Sequence, residues 1–163
     1  MLAVIRYLHL VFAFTWFAAV FAAHWNTLRA RRAPEWSSRE TLFAVNRGLS
    51  TLVSLPALLG VGLVGNMLAV QSGYRMGSTP MLMVANGLWI VLLLVTLAIE
   101  MPATGALGAL AHAAADAASR GGQGEPAGWS RELGRWRMAN GVQLVLYAVL
   151  LALMVAPWGT ASH

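Results

Sequence analysis

The stretch RYLHLVFAFTWF, residues 6–17, decides how the rest of the chain is read. It opens a run with no Asp, Glu, Lys or Arg between Arg6 and Arg29, long enough to cross about 30 Å of hydrocarbon at about 1.5 Å per residue. Inside that run sits His9, one helical turn after Arg6. Trp16 follows seven residues later and returns to the same face, with Phe12 and Ala13 between and the small residues Ala19 and Ala23 beyond. A polar ring in lipid is costly unless something satisfies it, so His9 reads as a ligand or as a hydrogen-bonded packing residue.

Composition widens this reading to the whole chain. Of 163 residues 58% are hydrophobic and only 10% charged, which is not the surface of a water-soluble domain. There is no cysteine, so disulfides, thiolate zinc clusters and thiol nucleophiles are excluded. The formal charge of +5 comes from eleven arginines and no lysine. These arginines gather at the ends of apolar spans, which is a membrane-topology signal and excludes a nucleic-acid footprint. No nucleophile pattern for hydrolysis and no glycine-rich nucleotide loop after a strand is present.

Four apolar spans stand out, at about 2–25, 49–70, 81–101 and 142–158. Backbone groups in lipid must be satisfied within their own segment, so the expected fold is all-α, an integral membrane four-helix bundle forming one domain in the lipid bilayer. The connections 27–46 and 102–137, with Arg47 at the edge of the first, hold Arg29, Arg31, Arg32, Arg39, Arg47, Arg120, Arg131, Arg135 and Arg137. Arg6 and Arg75 alone lie on the other side. The positive-inside rule then places both termini outside (N-out/C-out) in a bacterial-type inner (plasma) membrane. The first span lacks a basic leader and is followed by RARR, so it reads as a retained helix and not a secretory signal. Alanine-rich residues 103–119 extend the third helix into the cytoplasm until GGQGEP breaks it, and Trp129 starts the fourth helix with Ser130 as its expected cap.

Polar residues inside the spans fall into stripes. Arg47, Ser50 and Ser54 share a face of the second helix ahead of Pro56, whose missing N–H frees a carbonyl that the serines can satisfy. Asn140, Gln143 and Tyr147 form a stripe on the fourth helix, with Arg137 one turn before it. Glu100 is the one acid near a span, and Arg47 or Arg137 is its expected counter-charge. His24 lies 15 residues from His9, about 22 Å along the axis, so the two histidines cannot share a metal. Met67, Met76, Met81, Met83, Met154 and His163 lie toward the same end as His9; thioether and imidazole together suit copper(I) or haem iron, and methionine also serves as apolar filler.

The stretches YLHLVFAFTWFAAVF, VNRGLSTLVSLPALLGVGL and RWRMANGVQLVLYAVLLALMVAPW resemble the first, second and last helices of the HemJ type of protoporphyrinogen oxidase, and of its relatives the CopD-like copper-resistance domains and a family of small four-helix membrane proteins. The resemblance implies a haem b held by His9 as metal ligand, with Arg47, Pro56, Arg137 and Asn140 as pocket residues, and a tetrapyrrole or electron-transfer partner. Arg6 is placed to pair with a propionate, as guanidinium does with carboxylates, and Trp16 to wall the same pocket. In one respect the chain departs from the pattern: the oxidase has a lysine in its third helix, and here the sequence offers Glu100 instead. The expectation is therefore a haem-binding membrane oxidoreductase or electron carrier. Its competitors are a non-catalytic small subunit of a larger respiratory or transport complex, and copper handling through His9 and the methionines. Small residues on several faces leave room for a homo-oligomer.

Overall fold

The computed structural model describes residues 1–75, 79–122 and 124–155, and the side chains of all of these but 154 and 155. Four long helices make up the fold: α1 (Leu2–Arg32), α2 (Trp36–Gln71), α3 (Pro80–Ser119) and α4 (Trp129–Val155). All four are long and apolar enough to cross a membrane, and the chain is a multi-pass membrane protein. Only 17 to 33% of each apolar window is buried inside the protein, so the greater part of each helix is left for lipid. Leu52, Leu63, Leu94 and Val145 are among the large apolar side chains on that outer face. Met76, Trp158 and His163 lie outside the described residues, as does the last part of the expected fourth span.

The helices run beyond the spans read from hydropathy. Residues 27–46, expected as a connection, are helical except at 33–35: α1 continues through its arginines to Arg32 and α2 begins at Trp36. The break is set by Pro34, which forces Ala33 into an extended conformation at ψ 129. Arg39 then donates from Nε and Nη2 to the Ala33 carbonyl at 3.1 and 2.9 Å and lies over the Trp36 ring, capping α1 with the start of α2. α3 passes Pro102 unbroken to Ser119, as the alanine-rich sequence predicts. Ser130 is inside the first turn of α4, not ahead of it, so it is not the cap; Gly128, at φ +90, supplies the carbonyl that the Glu132 N–H bonds.

Pro56 and Pro102 are absorbed by the same device. Each is preceded by a widened π-helical stretch, Leu49–Ser54 and Thr96–Glu100. Within them the N–H of Leu55 bonds the carbonyl of Ser50 and the N–H of Met101 bonds that of Thr96, each five residues back. A proline cannot donate and its ring crowds the carbonyl four residues earlier; lengthening the turn before it keeps the remaining groups paired. The wider turns direct Ser50, Ser54, Thr96 and Glu100 into the bundle, where all four are buried.

That polar layer separates two apolar cores. Toward the arginine-rich end, here the lower end, Ala23, Ala30, Phe43, Leu107, Ala111, Trp129 and Trp136 pack together, with Trp129 edge-on to both Trp36 and Phe43. Toward the upper end, where α1 begins, Trp16, Val20, Leu58, Leu92, Tyr147 and Leu150 form the second cluster. The lower core lies beyond the hydropathic spans, where burial removes surface from water. Phe43→Ala should therefore destabilise the fold by about 3–5 kcal/mol, and Leu52→Ala on the lipid-facing surface by less than about 0.5 kcal/mol, compared by reversible unfolding in mixed micelles.

Candidate functional site

At the upper end, α1, α2, α3 and α4 enclose an open cavity of about 500 Å³. Its wall includes Arg6, His9, Asn66, Met81, Asn86 and Trp89. Gly60, Gly62 and Gly65 of α2 leave space for rings from neighbouring helices, and Gly62 and Gly65 line the cavity. At Gly65 an added Cβ would come within 2.9 Å of the His9 ring, at Gly60 within 2.5 Å of Phe12, and at Gly62 it would collide with Trp89. Three aromatic rings thus lie flat against one helix where any side chain would displace them.

A backbone carbonyl orients one of these rings. Trp89 Nε1 donates to Leu58 O at 2.8 Å. The His9 ring lies beside the Val61 carbonyl, and its Nδ1 is buried without a hydrogen bond of standard geometry. No described side chain bonds the other nitrogen, so Nε2 is the one left to meet a ligand in the cavity. A neutral imidazole with Nδ1 buried in protein and Nε2 free of side-chain partners keeps one ring nitrogen for a metal. Arg6, one turn away, lines the same cavity from an exposed position.

Opposite them Asn66 and Asn86 donate to each other's carbonyl oxygens at 2.8 and 3.0 Å, and Asn86 also donates to Leu82 O. This closed amide pair ties α2 to α3 and supplies polar wall to an otherwise apolar site. Sequence reasoning missed both asparagines and Trp89, because single polar residues on different helices show no spacing pattern. The glycines of GVGLVGN were the available signal. Met81 also lines the cavity, so one of the methionines counted as soft donors shares a site with His9, while Met67 and Met83 are exposed elsewhere.

The other predicted site residues are distributed along the bundle. Trp16 is buried in the upper core, its ring 5.3 Å from Tyr147, and is no part of the cavity wall. Large rings from α1 and α4 fill the bundle at that level and close the cavity below His9. Asn140 is also buried, where its Oδ1 accepts from His24 Nδ1 at 2.7 Å; His24 in turn stacks on Trp136. This engages His24 with protein and keeps it far from His9. Arg137 is exposed. Arg47 is exposed as well and lines a second, lower cavity of about 380 Å³ with Ser50, Thr51, Met101, Pro102, Thr104 and Gly105.

Glu100 has a different setting from the one expected. Its carboxylate accepts from Ser50 Oγ and, at 3.4 Å, from Gln143 Nε2, and among the described residues no arginine makes an ion pair with it. The widened turn brings Ser50 across to α3 and leaves Arg47 at the rim, so the expected counter-charge is replaced by neutral donors. No group of three or more His, Cys, Asp or Glu that could hold a metal is present among the described residues. No protein-family model matches the chain, and no curated protein or solved structure matches it.

If Gly65 holds space for the His9 ring, Gly65→Val should force that ring out of place. The expected cost is about 1–3 kcal/mol of stability, read from thermal unfolding in detergent, and Gly87→Val, where an added Cβ meets nothing within 4 Å, should cost much less.

Proposed function

We propose that the chain is a haem b-binding membrane oxidoreductase or electron carrier, with His9 as an iron ligand. The observation that carries this reading is the His9 imidazole, with Nδ1 turned to protein and Nε2 left for an open cavity of about 500 Å³. The residues present fit such a group. Gly65 leaves space beside the ring, Arg6 offers a guanidinium to an acidic substituent, and Trp89 and Leu150 provide apolar wall. Met81 is the second soft donor on the same cavity. Haem iron, when bound, supplies one-electron exchange between its ferric and ferrous states.

The chain's own residues do the positioning. Gly65 leaves the space that the His9 imidazole occupies, and the Asn66–Asn86 pair ties α2 to α3 at the site. The resemblance to the HemJ type supports the same cofactor, while Glu100 in place of the third-helix lysine favours electron carriage over oxidation of an acidic tetrapyrrole. The opening of the cavity at the upper end suits exchange of electrons or substrate with a partner at that membrane face.

Expression with haem precursor should give a purified protein with a Soret band. His9→Ala should lose it while remaining folded, and Arg6→Gln should weaken haem retention by about 10- to 100-fold, the equivalent of one charge-assisted hydrogen bond. A folded wild type with no Soret band that binds one copper(I) per chain would replace haem with the His9 and Met81 copper site.

We further infer that the upper ends of the helices face outward, with their lower ends in the cytoplasm of a bacterial-type cell. The support is the placement of nine arginines at the lower end. Because the chain has no cysteine, single substitutions report cleanly. Tyr74→Cys should react with a membrane-impermeant maleimide on intact cells, and Ser119→Cys only after the membrane is opened.

A further inference from the structure

We propose that Glu100 is a proton-exchange site in the bundle interior, connected through the Ser50 hydroxyl to the lower cavity. The proposal is independent of whatever occupies the cavity at His9.

The geometry begins with what surrounds the carboxyl. Glu100 is 3% exposed and lies between α2, α3 and α4 in the layer created by the two widened turns. Its contacts are neutral: Ser50 Oγ donates to Oε1 and Gln143 Nε2 to Oε2. The threonines beside it are engaged with their own helix, Thr96 Oγ1 donating to Leu92 O and Thr104 Oγ1 to Glu100 O. Arg47 of α2 is exposed at the rim of the lower cavity, Arg137 of α4 is exposed, His24 of α1 is hydrogen-bonded to Asn140, and Tyr147 of α4 packs against Trp16. None of them forms an ion pair with Glu100. A carboxylate held inside a membrane by neutral donors alone is costly, and a bound proton removes that cost.

The second observation is a way in. Ser50 is both the donor to Glu100 and a wall residue of the lower cavity, which Arg47, Thr51 and Thr104 make polar and which, at about 380 Å³, is roomy enough for water. A hydroxyl accepts and donates at once, so it can pass a proton without moving its oxygen. On release, the Glu100 O–H bond breaks as Ser50 Oγ takes that proton, and the hydroxyl's own proton goes to water in the cavity. On uptake the same bonds form and break in reverse, with no change in oxidation state.

A third feature separates this carboxyl from an inert one. Ser54 Oγ, Gln143 Oε1 and Trp16 Nε1 are all buried with no hydrogen-bond partner. They belong to residues on the second, fourth and first helices at and above Glu100, and they extend the polar layer toward the upper core. Unpaired polar atoms inside a bundle are rare, and donors and acceptors together suit a relay more than packing.

The test uses the intact protein in lipid nanodiscs and dicyclohexylcarbodiimide, which modifies carboxyl groups in apolar surroundings only when they carry a proton. Peptide mass mapping should find the adduct on Glu100 in mildly acidic buffer. Labelling should fall about tenfold per pH unit once the carboxyl ionises in more alkaline buffer. Ser50→Ala should slow the approach of labelling to its new level after a pH jump, and Glu100→Gln, which keeps an acceptor for Ser50 Oγ but sets an amide NH2 against Gln143 Nε2, should abolish the adduct. Absence of the adduct in acid, or labelling that does not vary with pH, overturns the proposal. So does labelling suppressed by sodium chloride at fixed pH, which would make the site one for an alkali cation. The wild-type arm stands alone if Glu100→Gln fails to fold, and haem retention in any variant reports separately on His9.

Discussion

In hydrocarbon a backbone or side-chain polar group has no water to fall back on, and this constraint organises the structure. It requires helices, and it makes Pro56 and Pro102 disruptive, since each removes a donor in the middle of a long α-helix. Both are accommodated by one turn of wider pitch placed just ahead of the ring, with Leu55 and Met101 reaching back five residues. The wider turn changes the register of the side chains it carries. Ser50, Ser54, Thr96 and Glu100 come to face inward; Ser50 bonds Glu100, and Thr96 and Glu100 accept from Gln143 of α4, while Ser54 Oγ meets no partner among the described residues.

The consequence is a bundle in three levels. An aromatic and alanine-rich core closes the lower end, a polar layer crosses the middle, and a second apolar core supports the cavity at the upper end. Each level has a distinct capacity. The upper one presents a single imidazole to an open volume, the middle one holds a carboxyl between neutral donors, and the lower one ties the helix extensions together, including His112 donating to Glu40 at 2.8 Å.

Much of the fold was legible because its cause is one-dimensional. Length of apolar runs, arginine placement and the helix-favouring alanines after Pro102 each act along the chain. The candidate site was legible only in part. Arg6 and His9 share the cavity because they are one turn apart on one helix, a relation that spacing reveals. Trp16 has the same spacing logic and nevertheless lies in the core, because Tyr147 of another helix fills the level beneath the cavity. Arg47 was read onto the face of Ser50 and Ser54, but the widened turn that follows leaves it exposed while both serines are buried.

By itself the sequence determined that this is an all-helical membrane protein of four spans, with nine of its eleven arginines at one end and a histidine near the other, since hydrophobic transfer and backbone pairing act segment by segment. The tertiary structure decided which polar residues meet. His24 finds Asn140, Asn66 finds Asn86 and Glu100 finds Ser50 across helices separated by 20 to 116 residues, and the three glycines of α2 find the rings they admit. Those pairings depend on how the helices rotate against one another, and that rotation is set jointly by packing and by the pitch change at two prolines, which no single segment encodes.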